Sequence, residues 1–366
     1  MKTQFNQNGG SKLMSKKERK RAFLKHLASD YKHVGFKDER GRRQLDFRIV
    51  CKLHNGKELR EQTFYSLLDG ICERYKELYG GIEYAMEFSL DDVVSIRERD
   101  YEWLLDELDV DLGNRAIYLN NCKLVDGEFV EDSGEVRFAG SCLDIDYIEV
   151  EGKSKFERFL DLAYGEDNKE LLRMVIGFII SRECVDNDVV VMIMDRGYGG
   201  GGTGKSLLVK LLGEVVGVNF FNKVNGKVIM LREYNFGNNG VVCLENLSER
   251  FNFDIFYSAV KCGIYVKEKF QRMFYIPKEL GTKVVVTSNC EIKNKRRGEF
   301  NRIDLFTSGR ILYEYDEFKS LGKFGLEYWD NDERCRFIKF IADCWKYYKL
   351  KGFDYLKKIS YEKLRY

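Results

Sequence analysis

The spacing of apolar and polar positions divides the chain into stretches of different character. From Phe47 to Leu53 apolar and polar residues alternate, the period of a half-buried strand. From Phe64 to Tyr79, Leu67, Leu68, Ile71 and Tyr75 recur at helical spacing and predict one amphipathic helix. A second helical pattern runs from Leu90 to Leu108 through Val93, Val94, Ile96, Trp103, Leu104 and Leu105. Between 116 and 150 the pattern shortens into strands. Ala116 to Leu119 and Asn120 to Val125 come first, and Asp126-Gly127 supplies the residues of a hairpin turn. Helical spacing returns over 155–182, with Phe156, Phe159 and Leu160, then Leu171, Leu172, Val175, Ile176, Ile179 and Ile180. Val189 to Met194 is an unbroken apolar run rich in β-branched residues, which reads as a parallel strand buried on both faces. Gly240 to Leu244 and Lys283 to Ser288 repeat that character. No internal repeat is visible.

The chemistry follows the first of these runs. After Asp195-Arg196-Gly197-Tyr198 come Gly199, Gly200, Gly201, Gly202, Thr203, Gly204, Lys205 and Ser206. Leu207, Leu208, Leu211, Leu212, Val215 and Val216 then fall at helical spacing. Strand, GxxxxGK[ST] and helix, in that order, is the context in which such a loop binds phosphate. Glycine admits positive φ and lets backbone amides approach an oxygen closely. The helix N-terminus adds partial positive charge there. Lys205 adds a full charge, and Ser206 a hydroxyl for Mg²⁺. The loop from Gly199 to Leu207 therefore predicts binding of ATP or a related nucleoside triphosphate with Mg²⁺. The alternative is a glycine-rich hairpin with a chance lysine, but strand and helix both flank the loop.

Two further strands end in suitable groups. Glu245 follows the apolar run 240–244, where a carboxylate can order Mg²⁺ and its water. Asn289 ends the run from Lys283, where an amide can reach a γ-phosphate or the attacking water. Each alone is common; the three in order are more specific.

Composition narrows the class. Over 366 residues, 44% are hydrophobic and 33% charged, with a net charge of +2, as in a globular protein with substantial cores. The ten cysteines form no CxxC pair, and there are three histidines, so zinc and redox chemistry are not indicated and a reducing compartment is. No signal peptide and no apolar run of bilayer length is present, which points to the cytosol or a replication compartment of a host, without a membrane partner. Met14-Ser15 resembles a second start, so the polar residues before it are expected to matter little. Lys16, Lys17, Arg19, Lys20, Arg21 and Lys25 form a basic stretch that suits either nucleic-acid phosphate or a solvated helix face. Asp144-Ile145-Asp146 has the alternation of a two-metal site but no companion acidic motif or histidine.

GGGGTGKS, VVCLEN and VVVTSN resemble motifs A, B and C of superfamily 3 helicases, the AAA+-type hexameric helicases of small DNA viruses, phages and plasmids. The similarity is closer to the poxvirus- and phage-type primase-helicases. In these, AIYLNNCKLVDGEF and the helices at 155–182 resemble the region before the helicase domain. The resemblance covers about 116–318. It departs at motif B, where Asn246 follows Glu245 in place of a paired acid, which leaves the general base unassigned.

The resemblance implies a P-loop NTPase core with a parallel sheet, preceded by a smaller α+β and helical region. It implies Lys205, Glu245, Asn289 and Arg310 as catalytic groups, Arg310 opening the apolar strand 311–315 and acting on a neighbouring subunit, with Arg302 as runner-up. It also makes Val266 to Arg272 a hairpin in the channel of a ring, where Lys267, Lys269, Phe270 and Arg272 suit single-stranded DNA by charge and stacking. A basic loop at Lys293, Lys295, Arg296 and Arg297 is a second phosphate contact or an exposed loop. The expected organisation is a disordered tail over 1–15, an α+β region over 16–150, a helical collar over 151–184, the ATPase domain over 185–318 and a helical basic segment over 319–366. The last packs Phe337, Ile338, Ile341, Ala342 and Trp345 on a core, with its lysines wet or on DNA.

The function so implied is an ATP-dependent, ring-forming DNA helicase for replication of a virus, phage or mobile element. It would act as a homo-hexamer on single-stranded or forked DNA beside a separate primase or polymerase. The competing readings are a nucleotide-switched origin-binding or assembly factor that does not unwind, and a motor acting on RNA or packaging DNA.

Overall fold

The computed structural model describes residues 15–37, 43–54, 58–61, 64–79, 106–111, 116–132, 137–138, 142–181, 189–195, 201–221, 230–231, 240–247, 263–266, 274–277, 283–292 and 301–363. The chain forms two compact units, one of residues 1–36 with 48–110 and one of 37–47 with 111–366.

In the first unit, α1 (Lys16–Leu27) starts at Ser15 through a reciprocal capping box with Glu18, which satisfies leading amides that the helix itself leaves open. The strands β1 (Tyr31–Lys37), β2 (Arg43–His54), β3 (Glu58–Glu61) and β4 (Asp106–Asp111) lie in the order β4-β1-β2-β3. Helix α2 (Phe64–Tyr79) has the predicted limits. Leu67 and Ile71 pack on Leu24, Leu27 and Tyr31. The expected helix over 90–108 is corrected at its end, since 106–108 belong to β4; its earlier part lies outside the described residues.

The second unit opens with an antiparallel meander of β5 (Ile117–Tyr118), β6 (Lys123–Val125) and β7 (Glu128–Val130), joined by the predicted Asp126-Gly127 turn. Both turn residues have positive φ, 51° and 84°, which matches the twist of paired strands. After β8 (Arg137–Phe138) the helical stretch is two helices, α3 (Lys155–Tyr164) and α4 (Lys169–Ser181), separated at Gly165 with φ 74°.

The centre is a parallel sheet. Its strands are β9 (Val189–Met194), β10 (Val218–Phe221), β12 (Val241–Leu244), β15 (Lys283–Ser288) and β16 (Asn301–Phe306), in the order β10-β12-β15-β9-β16, and every pair is parallel. Helix α5 (Lys205–Val216) carries the chain from the interior strand β9 across to β10 at the edge. Each residue of β9, β12 and β15 is buried, which is why β9, β12 and the Val284–Val286 stretch of β15 read as continuous apolar runs. A smaller sheet holds β11 (Met230–Leu231), β13 (Gly263–Val266) and β14 (Phe274–Pro277), with β13 and β14 antiparallel and Val266 opposite Phe274.

The chain ends in α6 (Asp316–Ser320) and α7 (Asn331–Lys363), the latter kinked at Gly352 with φ 78°. Helix α7 lies directly on α4. A Cβ on Gly177 would stand 2.2 Å from the Cys344 carbonyl oxygen, so only glycine admits this approach. Phe337, Ile338, Ile341, Ala342 and Trp345 are buried in the shared core, while Lys346 and Lys349 stay in solvent. Among the described residues no helix is long and apolar enough to cross a membrane.

Candidate functional site

The glycine-rich loop leaves the C-terminal end of β9 and enters α5. In open α/β sheets, ligands bind beyond the strand ends where the strand order reverses, and β9 sits at such a point. Gly201, Gly202 and Gly204 have φ of 82°, 73° and 93°, so the turn is one that residues with a Cβ adopt at a cost of about 1–2 kcal/mol each. Space imposes the same choice. A Cβ on Gly204 would lie 2.6 Å from the Phe159 ring and 2.9 Å from Leu312, and one on Gly202 would lie 2.2 Å from the Tyr313 ring. Gly204 caps α5 without a side chain, so no side-chain oxygen occupies the amides of its first turn.

A cavity of about 310 Å³ opens over this loop. It is lined by residues 201–207 together with Asn246, Asn289, Leu312, Tyr313 and Phe318. The Leu312 amide donates to the Gly202 carbonyl at 3.0 Å, which fixes the following turn, Leu312–Glu314, over the loop.

Lys205 is held inward. Its Nζ is 2.6 Å from Asp195 Oδ2 and 2.9 Å from Thr203 Oγ1. The pair is enclosed, with side-chain exposures of 5% for Lys205 and 0% for Asp195. Asp195 Oδ1 accepts from Thr203 Oγ1 at 2.7 Å and from Thr307 Oγ1 at 2.6 Å. Four polar side chains thus satisfy one another, as buried polar groups must. Burial and the nearby Asp195 charge both push the Tyr164 phenol above its usual range. Ser206, next to Lys205, is exposed.

The other strand ends come close. β12 pairs with β15 and β15 with β9, so Glu245 and Asn289 each leave the sheet on the side from which the loop emerges. Asn289 faces the loop, with its Nδ2 3.7 Å from where a Gly201 Cβ would stand. The turn after Glu245 is tied to β15 by Leu247 N–H to Thr287 O at 3.1 Å and Ser288 Oγ to Leu247 O at 2.8 Å. Asn246, at φ 56°, lines the cavity, whereas half-buried Glu245 does not. Behind Glu245, Cys243 is buried, and its thiol is pushed up by that burial, with a smaller push from the Glu245 charge.

Two expectations about the arginines are revised. Arg310 does not open an apolar strand: the strand is 301–306, and Arg310 follows it in an exposed turn. The 311–315 stretch forms a short helical turn because Leu312 turns inward under the loop. The Arg310 guanidinium lies 5.8 Å from the Tyr315 ring centroid and does not line the cavity. Arg302 is engaged inside, with Nη1 donating to Ile292 O at 2.7 Å and an ion pair to the buried Asp304.

The structure thus brings together Gly201, Gly202, Thr203, Gly204, Lys205, Ser206, Leu207 and Asn289, with Glu245 beside them. Gly199 and Gly200 lie outside the described residues. So do Lys267, Lys269, Phe270 and Arg272, which fall between the paired strands β13 and β14. The basic residues 293–297 are outside as well. Asp144 and Asp146 are exposed on a segment that forms no strand, and Asp144 accepts from Asn120. Among the described residues no group of three or more His, Cys, Asp or Glu is placed to hold a metal. Sequence reasoning passed over Asp195, Thr307 and Tyr313. An acid directly after a buried strand was the one available signal, and it gives no hint of its partner.

No family model matches the chain, and no curated protein does. Among solved structures, the apo A form of the NrS-1 C-terminal region is similar at 12% identity and a TM-score of 0.45, over 87% of this chain and 68% of that one. Another apo structure of that region gives 12% and 0.45, over 94% and 75%. A further A form gives 13% and 0.44, over 93% and 72%.

Proposed function

We propose that this chain hydrolyses ATP with Mg²⁺ and uses the energy to unwind DNA as a ring. One observation carries the first half. A loop with three left-handed glycines joins the end of an interior strand to a helix, with Lys205 and Ser206 at the helix start and Asn289 on the adjacent strand end. The second half rests on the motif resemblance over 116–318.

The residues suit the ligands. The open amides of α5 and the left-handed loop favour phosphate oxygens. The cavity of about 310 Å³ falls in the lower range of small-molecule sites and has an apolar wall at Leu312 and Phe318. Magnesium is commonly held by one or two protein oxygens plus water and phosphate, so the exposed Ser206 hydroxyl and Glu245 make an adequate donor set. When bound, the ion neutralises charge on the phosphate oxygens.

Lys205 leaves Asp195 to meet a phosphate oxygen. The loop amides orient the triphosphate chain. Asn289 holds the γ-phosphate or the attacking water. Glu245, with Ser206, would hold the ion. Arg310, exposed on its turn, supplies positive charge to the site of the next protomer. In the channel, Lys267, Lys269, Phe270 and Arg272 hold one strand.

Displacement of a labelled strand from a forked duplex tests the whole reading, with the protein's mass measured with and without ATP. The expected outcome is assembly to about six subunits and unwinding that requires ATP hydrolysis. ATP-dependent DNA binding without displacement would assign the chain to the switch class instead. Stimulation of ATP turnover by RNA in preference to DNA would make it an RNA-directed motor.

A further inference from the structure

One carboxylate joins Lys205 to the turn that bears Arg310. Asp195 Oδ2 accepts from Lys205 at 2.6 Å, and its Oδ1 accepts from Thr307 Oγ1 at 2.6 Å. Thr307 Oγ1 accepts in turn from the Gly309 amide at 3.3 Å, one residue before Arg310. The Thr307 amide is itself fixed, donating to Met194 O at 2.9 Å at the end of β9. At the other side of Arg310, the Leu312 amide donates to Gly202 O at 3.0 Å. One end of the span 307–312 is therefore tied to the end of β9 at Met194 and Asp195 and the other to the loop at Gly202, while Arg310 between them is exposed.

Lys205 has one ammonium group. Its three N–H donors already serve Asp195 and Thr203, so a phosphate in the loop competes with Asp195 for the charge and draws the ammonium away from the carboxylate. When it moves, the carboxylate stays buried and must keep partners. Its charge then falls on the two hydroxyl donors, and hydrogen bonds to an unshared charge are the stronger ones. Thr307, already at 2.6 Å, is held more firmly, and Gly309 with it. We propose that Asp195 is a positioning residue that couples the engagement of phosphate by Lys205 to the placement of Arg310, through Thr307. A protomer holding nucleotide then presents its arginine firmly to the neighbouring site, and an empty one does not. The inference rests on the nucleotide reading above and adds to it how one site reports its state to the next.

Thr307→Val removes the hydroxyl and keeps nearly the same shape. ATP turnover is measured against ATP concentration, and affinity is measured separately by titration with a fluorescent ATP analogue. Thr307→Val should leave affinity within about twofold, lower kcat about tenfold, as for loss of one charge-assisted hydrogen bond, and bring the Hill coefficient to about one. Thr307→Ser keeps the oxygen and should restore both values. Asp195→Asn, an isosteric change that releases Lys205 from a charged competitor, should tighten nucleotide binding about tenfold while lowering kcat. It also decides the matter if Thr307→Val fails to fold. Wild-type kcat and cooperativity in Thr307→Val would overturn the relay alone, as would failure of Thr307→Ser to rescue, or a wild-type Hill coefficient of about one. Absence of any ATP turnover in the wild-type protein would instead overturn the nucleotide reading, and the relay with it.

Discussion

Truncating Lys205 to alanine should destabilise the protein, quite apart from its effect on ATP. The lysine is 5% exposed and its partner Asp195 is fully buried, with 2.6 Å between the charged atoms. Removing one member of such a pair strands the other charge, at a cost of about 3–5 kcal/mol. Two hydroxyl donors, at 2.7 and 2.6 Å, remain on Asp195 and soften the loss. The open cavity beside the loop also admits water, so the lower end, about 3 kcal/mol, is expected. With a urea slope of about 2 kcal/mol/M, the unfolding midpoint should fall by about 1.5 M. Replacing both partners should recover most of this, because a buried pair exchanged for neutral groups of similar size is often nearly neutral. The double variant Asp195→Asn/Lys205→Met should therefore be more stable than Lys205→Ala, although neither turns over ATP. Urea unfolding of the three proteins, followed by far-ultraviolet dichroism, decides it. A Lys205→Ala midpoint equal to that of the wild type, or a double variant no more stable than the single one, would refute the buried-pair reasoning.

Glu245→Gln should bind nucleotide normally yet lose about 100-fold in turnover, since an amide does not orient metal-bound water as a carboxylate does; normal turnover would move that role elsewhere. Lys267→Ala with Lys269→Ala should flatten the salt dependence of single-stranded DNA binding, each lost phosphate contact removing roughly 0.7 from the log–log slope. An unchanged slope would shift the contact to 293–297 or to the basic face of α7. Arg310→Ala should bind ATP without hydrolysing it, and mixing it with Glu245→Gln protein should restore turnover wherever an intact site meets an intact arginine. No recovery in proven mixed assemblies would mean that Arg310 acts within its own chain.

Much of the central sheet was legible because its strands are buried on both faces. Val189 to Met194 and Lys283 to Ser288 carry no alternation to confuse with a surface strand, and the glycines after Met194 announce the turn. Helix α2 was equally clear from one apolar stripe, and the Asp126-Gly127 turn from its two residues. The strand β16 was missed because Asn301, Arg302 and Asp304 interrupt its pattern. The polarity of Arg302 and Asp304 is satisfied locally, Arg302 by Asp304 and by Ile292 O. The end of the supposed helix at 106–108 failed for a different reason: Leu105 and Leu108 fit helical spacing, and nothing local records the pairing of β4 in its sheet. At the site, the loop residues were legible from local spacing alone. The bond from Thr307 to Asp195 spans more than a hundred positions, and neither residue type stands out where it occurs. Likewise, the sequence gives Lys205 a role toward phosphate but no reason to expect that its removal disturbs the fold. That reason lies in the burial of Asp195.

The central claim is that the loop at Gly201–Ser206 turns over ATP in the service of DNA movement. Phosphate release from ATP by the purified chain, with and without Mg²⁺ and single-stranded DNA, tests it most directly. Hydrolysis should require Mg²⁺, rise when single-stranded DNA is added, and disappear in the Asp195→Asn/Lys205→Met variant. Hydrolysis that persists in that variant, or a wild-type protein that releases no phosphate under any of these conditions, would contradict it.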